Sequence, residues 1–184
     1  MVDEVEYVIL GAGGHAKVLV DCCRELGLKD PQVILDVDEG LWGQLVCGIP
    51  VIGGDDRLED VATGGVSHFI VGVGSIKDNA LRQALHDRGK VCGLIPLTIV
   101  HPRAICSAEA AIGQGCQLLP GSVVNAGAEL GAGCIVNTSA VVEHDCIVGD
   151  YVHVATGARL GGGVRVGEGA FVGMGATVRQ GVEI

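Results

Sequence analysis

Aromatic residues are scarce in this sequence, with one Trp, two Tyr and two Phe among 184 residues. Large rings supply much of the buried area in wide protein cores, so their scarcity is typical of a narrow core. In the second half of the chain, Tyr151 and Phe171 stand at positions that we expect to face outward. With 48% hydrophobic residues, the chain is nevertheless long enough to bury one large core or two small ones.

Basic residues are also few, since 12 Lys and Arg face 22 Asp and Glu, for a net charge of -10. This balance argues against a surface for nucleic acid or anionic membrane. No apolar run approaches the roughly 18 residues of a spanning helix. The first six residues, MVDEVE, lack the basic start of a secretory leader. We therefore expect a cytoplasmic protein without membrane insertion.

The eight cysteines include no CxxC pair. This spacing argues against a disulfide framework, and metal ligands are the alternative to reduced core residues. Four of them occupy inward positions of the repeat described next, where a thiol behaves as a small hydrophobic group: Cys106, Cys116, Cys134 and Cys146. We predict reduced core thiols and no metal site.

A six-residue repeat runs without interruption from Val100 to Ile184. An aliphatic or Cys residue opens each hexad, and a small or β-branched residue follows four positions later. Both positions fall on one face of an extended strand, whereas a helix has no use for a period of six. The repeat predicts a parallel β-helix in which three hexads form one triangular coil. Fourteen complete hexads would form between four and five coils.

The first part of the chain has a different pattern. Apolar runs at 7–10, 33–35 and 68–72 alternate with helical segments at about Lys17–Leu26 and Lys77–Arg88, and Val91–Leu94 is a candidate for a further strand. Alternation of this kind predicts parallel βαβ units and a small Rossmann-like domain. We place the domains at 1–98 and 99–184.

A glycine-rich turn, GAGGHA, follows the first predicted strand directly. Gly11, Gly13 and Ala16 fit the fingerprint of nucleotide-binding turns, and Asp36 follows at about the distance of a ribose-binding acid. Backbone NH groups at a helix start bind phosphate, which favours a nucleotide diphosphate. Two alternatives remain: the glycines only allow a tight turn, or the ligand is NAD, whose complete site needs a second βαβ half.

The turn GAGGHAK at residues 11–17, joined to an uninterrupted hexapeptide β-helix containing NTSAVVEHDC at residues 137–146, resembles a family of bacterial sugar acetyltransferases. The family includes nucleotide-linked amino-sugar N-acetyltransferases and sialic acid O-acetyltransferases. The resemblance implies a left-handed β-helix and a homotrimer. It also implies acetyl-CoA between adjacent subunits and the nucleotide sugar on the N-terminal domain.

His144 lies among the carboxylates Glu143, Asp145 and Asp150. Carboxylates raise the basicity of an imidazole, and attack on a thioester requires a group that removes one proton. The resemblance implies that His144 is the general base and Asp145 its partner. Glu143 is the competing partner, and a solvated surface histidine is the alternative for His144.

Further roles follow from the resemblance. His153 would contribute to the acetyl-CoA pocket and polarise the thioester carbonyl, and Gly162 would let the pantetheine arm pass close to the backbone. Asn137 would contact the sugar near the acceptor group. Gly13, Gly14, His15 and Asp36 would bind the nucleotide sugar. Structural alternatives are a corner residue for His153, a routine turn glycine for Gly162 and an asparagine ladder for Asn137.

No Ser or Cys has a base at a recognisable spacing, which favours direct transfer in a ternary complex. We predict acetyl-CoA-dependent N-acetylation of a nucleotide-diphosphate amino sugar for bacterial glycan biosynthesis. Sialic acid O-acetylation and a non-catalytic trimeric scaffold are the alternatives. The identity of the nucleotide (UDP, GDP or dTDP) and the position of the amino group on the sugar stay open. The sequence stops in mid-pattern at Ile184, so we expect a truncated chain or an incomplete acetyl-CoA site.

Overall fold

The computed structural model describes residues 5–75 and 79–184. They form two compact units. The first unit contains the described residues up to Gly74 together with Ala84–Leu97, and the second contains Thr98–Ile184 together with the described part of Ser75–Gln83. The domain division that we place after residue 98 stays a prediction. The leader argument from the first residues, and the helix start near Lys77, fall on residues outside the described ranges.

The first unit has a four-stranded parallel sheet built from β1 (Tyr7–Leu10), β2 (Val33–Leu35), β5 (His68–Val71) and β6 (Ile95–Pro96). The spatial order of its strands is β2-β1-β5-β6. Apart from His68, the two central strands are buried and apolar, as expected for strands covered on both faces. An antiparallel pair is formed by β3 (Leu45–Val46) and β4 (Ile49–Pro50). The helices are α1 (Gly14–Glu25), α2 (Leu58–Thr63) and α3 (Ala80–Val91), with 3₁₀ turns at Glu39–Leu41 and Asp55–Arg57.

One strand prediction is wrong. Val91 ends α3, and the last strand of the sheet is Ile95–Pro96 instead of Val91–Leu94. Both Ile95 and Leu97 donate backbone hydrogen bonds to the neighbouring strand, at Ser67 and Phe69. An apolar run of four residues does not distinguish a helix end from a strand.

The second unit is the predicted parallel β-helix, with three sheets of five, five and four two-residue strands. Successive strands of one sheet lie eighteen residues apart, as in the register of Gln117 with Ile135. We call these sheets the first, second and third faces. The first face holds β7 (Ile99–Val100), β10 (Gln117–Leu118), β13 (Ile135–Val136), β16 (His153–Val154) and β19 (Phe171–Val172). The second holds β8 (Ile105–Cys106), β11 (Val123–Val124), β14 (Val141–Val142), β17 (Arg159–Leu160) and β20 (Thr177–Val178). The third holds β9 (Ala111–Ile112), β12 (Glu129–Leu130), β15 (Ile147–Val148) and β18 (Arg165–Val166).

The core of the β-helix consists of the two inward positions of each hexad. Cys116, Cys134 and Cys146 are buried there as free thiols, and Cys106 is partly buried. The sulfurs of the three buried thiols lie near carbonyls of the next coil, for example 3.0 Å from Cys116 Sγ to Gly131 O. Tyr151 is buried, so the expectation that it faces outward is wrong. Within the described residues, no helix is long and apolar enough to cross a membrane.

Candidate active site

His144 and Asp145 form a hydrogen-bonded pair on the turn that follows β14. Nδ1 of His144 lies 2.8 Å from Oδ2 of Asp145, and the imidazole is more than half exposed. The hydrogen bond to Asp145 raises the pKa of His144 above its ordinary value, and the charges of Asp145 and Glu143 add to this effect. With Nδ1 donating to the carboxylate, Nε2 is the nitrogen that accepts a proton.

Glu143, the competing partner, is engaged elsewhere. Its Oε2 accepts a hydrogen bond of 2.9 Å from Nδ2 of Asn125 and a longer one from the backbone NH of His144. Asp150 accepts a hydrogen bond from the backbone NH of Ala132. Of these three carboxylates, Asp145 is the one that contacts the imidazole ring.

The backbone at Asp145 is left-handed, with φ of 58°. In the β-helix, glycine has the left-handed conformation at nine turns: Gly115, Gly121, Gly127, Gly133, Gly157, Gly163, Gly169, Gly175 and Gly181. Three successive turns instead carry a side chain in this conformation, at Ser139, Asp145 and Tyr151. A left-handed residue with a Cβ costs on the order of 1 kcal/mol, less for Asp, and such residues cluster at functional sites. The turn therefore keeps a carboxylate beside His144 at some cost in stability.

Gly162 lies directly beneath His144, one coil further along the chain. A Cβ added to Gly162 would lie 2.5 Å from Nε2 of His144. The absence of a side chain at Gly162 is therefore explained by the imidazole of the same chain. Close approach of the pantetheine arm to Gly162 stays a prediction.

A cavity of about 530 Å³ opens beside the first face of the β-helix. Its polar lining includes Ser75, Asn137 and His153, and its apolar lining includes Phe171 and Met174. Nε2 of His153 lies 3.0 Å from Nδ2 of Asn137, and Nδ1 lies 3.2 Å from Oγ of Ser75. The ring of Phe171 packs edge-on against His153. The cavity thus joins a residue predicted to bind the cofactor with one predicted to contact the sugar.

The glycine-rich turn in the first unit leaves the start of α1 open. Gly13 is the N-cap, no side chain caps the helix, and its first turn holds no acidic residue. A Cβ at Gly13 or Gly14 would meet nothing within 4 Å, whereas Gly11 needs its φ of 104° and has no room for a Cβ. His15 lies in the first turn of α1 and is half-buried. This geometry exposes backbone NH groups to an anion.

Asp36 follows β2 and is connected to this turn. Its Oδ2 accepts a hydrogen bond of 2.6 Å from the backbone NH of Ala12, and its Oδ1 accepts one from Asp38. The indole NH of Trp42 donates to the backbone oxygen of Asp36. Asp36 therefore has a structural role in bracing the turn, and its contact with ribose stays a prediction.

The structure groups the predicted residues into three clusters. His144, Asp145 and Gly162 lie together; Asn137 and His153 line the cavity; and the glycine turn and Asp36 are in the first unit. Because His144 follows a strand of the second face and His153 begins one of the first, the two histidines lie on different faces, as expected from their spacing.

Ser75 and Asn79 contact the cavity side of the β-helix, and neither was predicted from the sequence. Ser75 lies 78 residues before its partner His153. Asn79 donates to the carbonyls of Gly169 and Ala170. Neither belongs to a recognisable motif, so a sequence signal was lacking for both.

Among the described residues, no group of His, Cys, Asp and Glu is arranged to hold a metal ion. Burial raises the pKa of the Cys146 thiol, which keeps it protonated and poorly nucleophilic. The Cys146 thiol is therefore poorly suited to accept an acyl group, whereas the pair of His144 and Asp145 is suited to proton transfer.

Comparisons with known proteins agree with this architecture. The model for the PglD N-terminal domain matches residues 6–88. No curated protein is significantly similar in sequence to the chain.

Solved structures that are similar over almost the whole chain include the following three. A variant of GDP-perosamine N-acetyltransferase from Caulobacter crescentus, in complex with CoA and GDP-perosamine, is 31% identical over 97% of this chain and 90% of that chain, with a TM-score of 0.84. The acetyltransferase domain of PglB from Neisseria gonorrhoeae is 32% identical over 96% and 92%, with a TM-score of 0.80. The same domain in complex with acetyl coenzyme A is 30% identical over 97% and 94%, with a TM-score of 0.77.

Proposed function

Because this chain belongs to the family of acetyl-CoA-dependent sugar acetyltransferases, we propose that it acetylates the amino group of a nucleotide-diphosphate-linked sugar, with His144 as general base. The observation that carries the proposal is the His144–Asp145 pair, with a separation of 2.8 Å on an exposed turn. GDP-perosamine, the amino sugar bound to the Caulobacter enzyme, supports this class of acceptor. The product would serve bacterial glycan biosynthesis.

The reaction requires two proton transfers, one from the attacking amine and one to the departing CoA thiolate. The amine nitrogen attacks the thioester carbonyl carbon, and Nε2 of His144 takes a proton from that nitrogen. The carbon–sulfur bond then breaks and leaves an amide. The proton on His144 passes to the departing CoA thiolate, so that the products are the acetylated sugar and free CoA. Asp145 stabilises the imidazolium that exists between these two transfers.

The nucleotide end of the acceptor would bind the first unit. Its diphosphate would accept hydrogen bonds from the backbone NH groups at the start of α1, near Gly14 and His15, with Asp36 toward the ribose. The β-helix would hold acetyl-CoA. This division gives residues 1–98 the acceptor and residues 99–184 the cofactor and the chemistry.

A homotrimer with shared active sites accounts for the separation of the two histidines. His144 follows a second-face strand, while Asn137 and His153 line a cavity beside the first face. A complete site would take His144 from one subunit and the cavity from its neighbour. Eight free cysteines suit a reducing compartment, and we place the reaction in the cytoplasm.

The function is tested by CoA release, followed with a thiol reagent, against UDP-, GDP- and dTDP-linked 4-amino sugars. A protein-only blank corrects for the eight protein thiols. Turnover with only one of these sugars identifies the nucleotide that the enzyme recognises. Turnover with a free or CMP-linked sialic acid instead would replace N-acetylation by O-acetylation, and CoA release with none of these acceptors would favour the scaffold.

Asp145→Asn tests the pairing with His144. Asn also adopts the left-handed conformation, so stability should change by less than about 1 kcal/mol. The general base must be unprotonated, and activity is therefore lost as the pH falls through the raised pKa of His144. Without the carboxylate, the acid limb of the kcat/KM profile should shift to lower pH, and kcat should fall about 10-fold. Glu143→Gln is the matched control, and an equal shift in that variant would contradict the assignment of Asp145.

Gly13→Ala and Gly14→Ala test the nucleotide site without harming the fold. A Cβ meets nothing within 4 Å at either position, so the thermal midpoint should fall by only a few degrees, more for Gly13, the N-cap, than for Gly14. A nucleoside diphosphate on the turn would meet the added methyl group, and its affinity should fall by about 10-fold. Trp42 is the only tryptophan, is 43% exposed and donates to Asp36, so its fluorescence should report binding.

The control for these variants is Gly173→Ala, which also has open space around an added Cβ. Unchanged nucleotide affinity in Gly13→Ala and Gly14→Ala would place the nucleotide elsewhere. Binding that calorimetry detects without a change in Trp42 emission would separate the nucleotide from the neighbourhood of Asp36.

A further inference from the structure

A hydrogen-bonded row of polar side chains runs along the wall of the cavity. Three of its members are buried: Ser75, Asn79 and His153 are 8%, 3% and 5% exposed. Asn137, which is half-buried, ends the row. Buried polar groups normally have hydrogen-bond partners. Because amide groups at both ends of this row have a fixed orientation, they determine which atom donates in each hydrogen bond between them.

At one end, the amide of Asn79 has a fixed orientation. Its Nδ2 donates to the carbonyls of Gly169 and Ala170, at 2.9 and 3.1 Å, which turns Oδ1 toward Ser75. A carbonyl oxygen only accepts, so the hydroxyl of Ser75 donates to it. Oγ of Ser75 must then accept from Nδ1 of His153, which carries the ring proton.

At the other end, the amide of Asn137 is fixed by its own backbone. Its Oδ1 accepts from the NH of Thr138 at 2.7 Å, which turns Nδ2 toward His153. Nδ2 donates to Nε2 of His153, which therefore accepts. Both ends give the same tautomer, a neutral imidazole with its proton on Nδ1.

This tautomer changes which side chain can serve as donor in the cavity. Nδ1 of His153 donates to Ser75 and Nε2 accepts from Asn137. The amide of Asn137 has a second hydrogen. Phe171, Met174 and Ala155 give the rest of the cavity an apolar lining that suits the methyl group and thioester of an acetyl group.

We propose that Ser75 and Asn79 are positioning residues that hold His153 as a hydrogen-bond acceptor, and that Asn137, aligned by His153, donates to the acetyl carbonyl oxygen. The proposal rests on the proposed acetyl transfer and differs from the expectation that His153 itself polarises the thioester. Negative charge develops on the carbonyl oxygen as the amine attacks, and one donor at such an oxygen typically contributes about 10²- to 10³-fold in kcat.

The first test is the ¹⁵N spectrum of the histidine side chains in the full chain, with His153 assigned by comparison with His153→Gln. The ring nitrogens should show a protonated Nδ1 and an unprotonated Nε2. Ser75→Val should give a mixture of tautomers. Ser75→Thr places a side chain of the same shape as Val there but keeps the hydroxyl group, so it should retain the wild-type pattern. A proton on Nε2 in the wild-type protein would overturn the proposal, even if the Ser75 variants failed to fold.

The second test is kinetic. Ser75→Val should lower kcat on the order of 10-fold, with a smaller change in KM for acetyl-CoA, and Ser75→Thr should recover most of it. Asn137→Asp, which replaces the donor by an acceptor, should lower kcat by about 10²-fold or more. Equal loss in Thr and Val, or an active Asn137→Asp, would overturn the proposal.

The two tests separate this inference from the proposed function. The tautomer is measured on the protein alone and needs no substrate. If the wild-type protein turned over none of the acceptors, the proposed function would fail while the spectrum still decided the tautomer of His153.

Discussion

His144→Asn should lower kcat by about 10²- to 10⁴-fold while leaving KM for both substrates within a few-fold of wild type. Asn fills similar space on the turn and still forms hydrogen bonds, but it takes up no proton at neutral pH. The side chain is more than half exposed, so its replacement should leave the thermal midpoint unchanged. The loss would therefore measure proton transfer and not folding.

The measurement is steady-state CoA release with the acceptor that the nucleotide panel identifies. His68→Asn, a histidine in β5 of the first unit, is the matched control and should retain wild-type kcat. A loss of less than 10-fold in His144→Asn would exclude His144 as the general base. If the wild-type protein and both variants released no CoA above the blank, the scaffold would be favoured.

Mixing two inactive variants tests whether the site is shared. His144→Asn keeps an intact cavity, and Asn137→Asp keeps an intact His144. If the site combines residues from two subunits, co-refolded mixtures should regain activity that neither variant has alone. No regain in mixed oligomers, or a monomer by light scattering at micromolar concentration, would contradict the shared site.

Gly162→Ala should lower kcat on the order of 10²-fold with little change in stability. Its Cβ would lie 2.5 Å from Nε2 of His144, so the imidazole must move. The ring is the mobile end of an exposed side chain and moves at small cost to folding. A displacement of about 1 Å at the group that takes the proton is enough for a loss of this size.

Equivalent turn positions show that the backbone accepts a Cβ. Ala126 and Ala132 occupy the same place in their hexads and carry side chains. The effect of Gly162→Ala should therefore depend on His144, and in a His144→Ala background the added methyl group should change neither kcat nor the thermal midpoint.

The split between kcat and KM distinguishes the two roles for Gly162. A methyl group that displaces His144 lowers kcat at saturating substrate. A methyl group that blocks the pantetheine arm raises KM for acetyl-CoA instead. An increase in KM alone would favour the role that the family resemblance implies and would contradict the contact with His144 as the reason for glycine.

The β-helix could be predicted closely because its repeat is local. Each hexad specifies its own two inward residues, and stacked coils repeat that choice, so Leu118, Val136 and Val154 follow directly from the spacing. The buried Tyr151 could not be predicted this way. It occupies a turn position that usually holds glycine, and its burial depends on surroundings outside its own hexad.

Residues of the candidate site could be predicted only where they belong to a recognisable sequence motif. The prediction of His144 rests on its neighbouring carboxylates and stays a prediction. Which carboxylate contacts the ring could be read only from the coordinates, because Asn125 of the preceding coil engages Glu143. Ser75 reaches His153 across 78 residues of sequence. A short polar side chain with a single distant contact leaves no periodic signal in one sequence.

The contacts of His144 and Asp145 with the neighbouring coils also predict how related sequences should vary. Oδ1 of Asp145 lies 2.6 Å from where a Cβ at Gly127 would stand, and the imidazole of His144 lies over Gly162. Each of these pairs is separated by one coil of 18 residues, the register of neighbouring strands. In an alignment, relatives that lack the His-Asp pair should accept larger residues at the position of Gly162, whereas the left-handed φ of Gly127 favours glycine there with or without the carboxylate. Correlated substitution at positions 144 and 162 would then mark this turn without any assay.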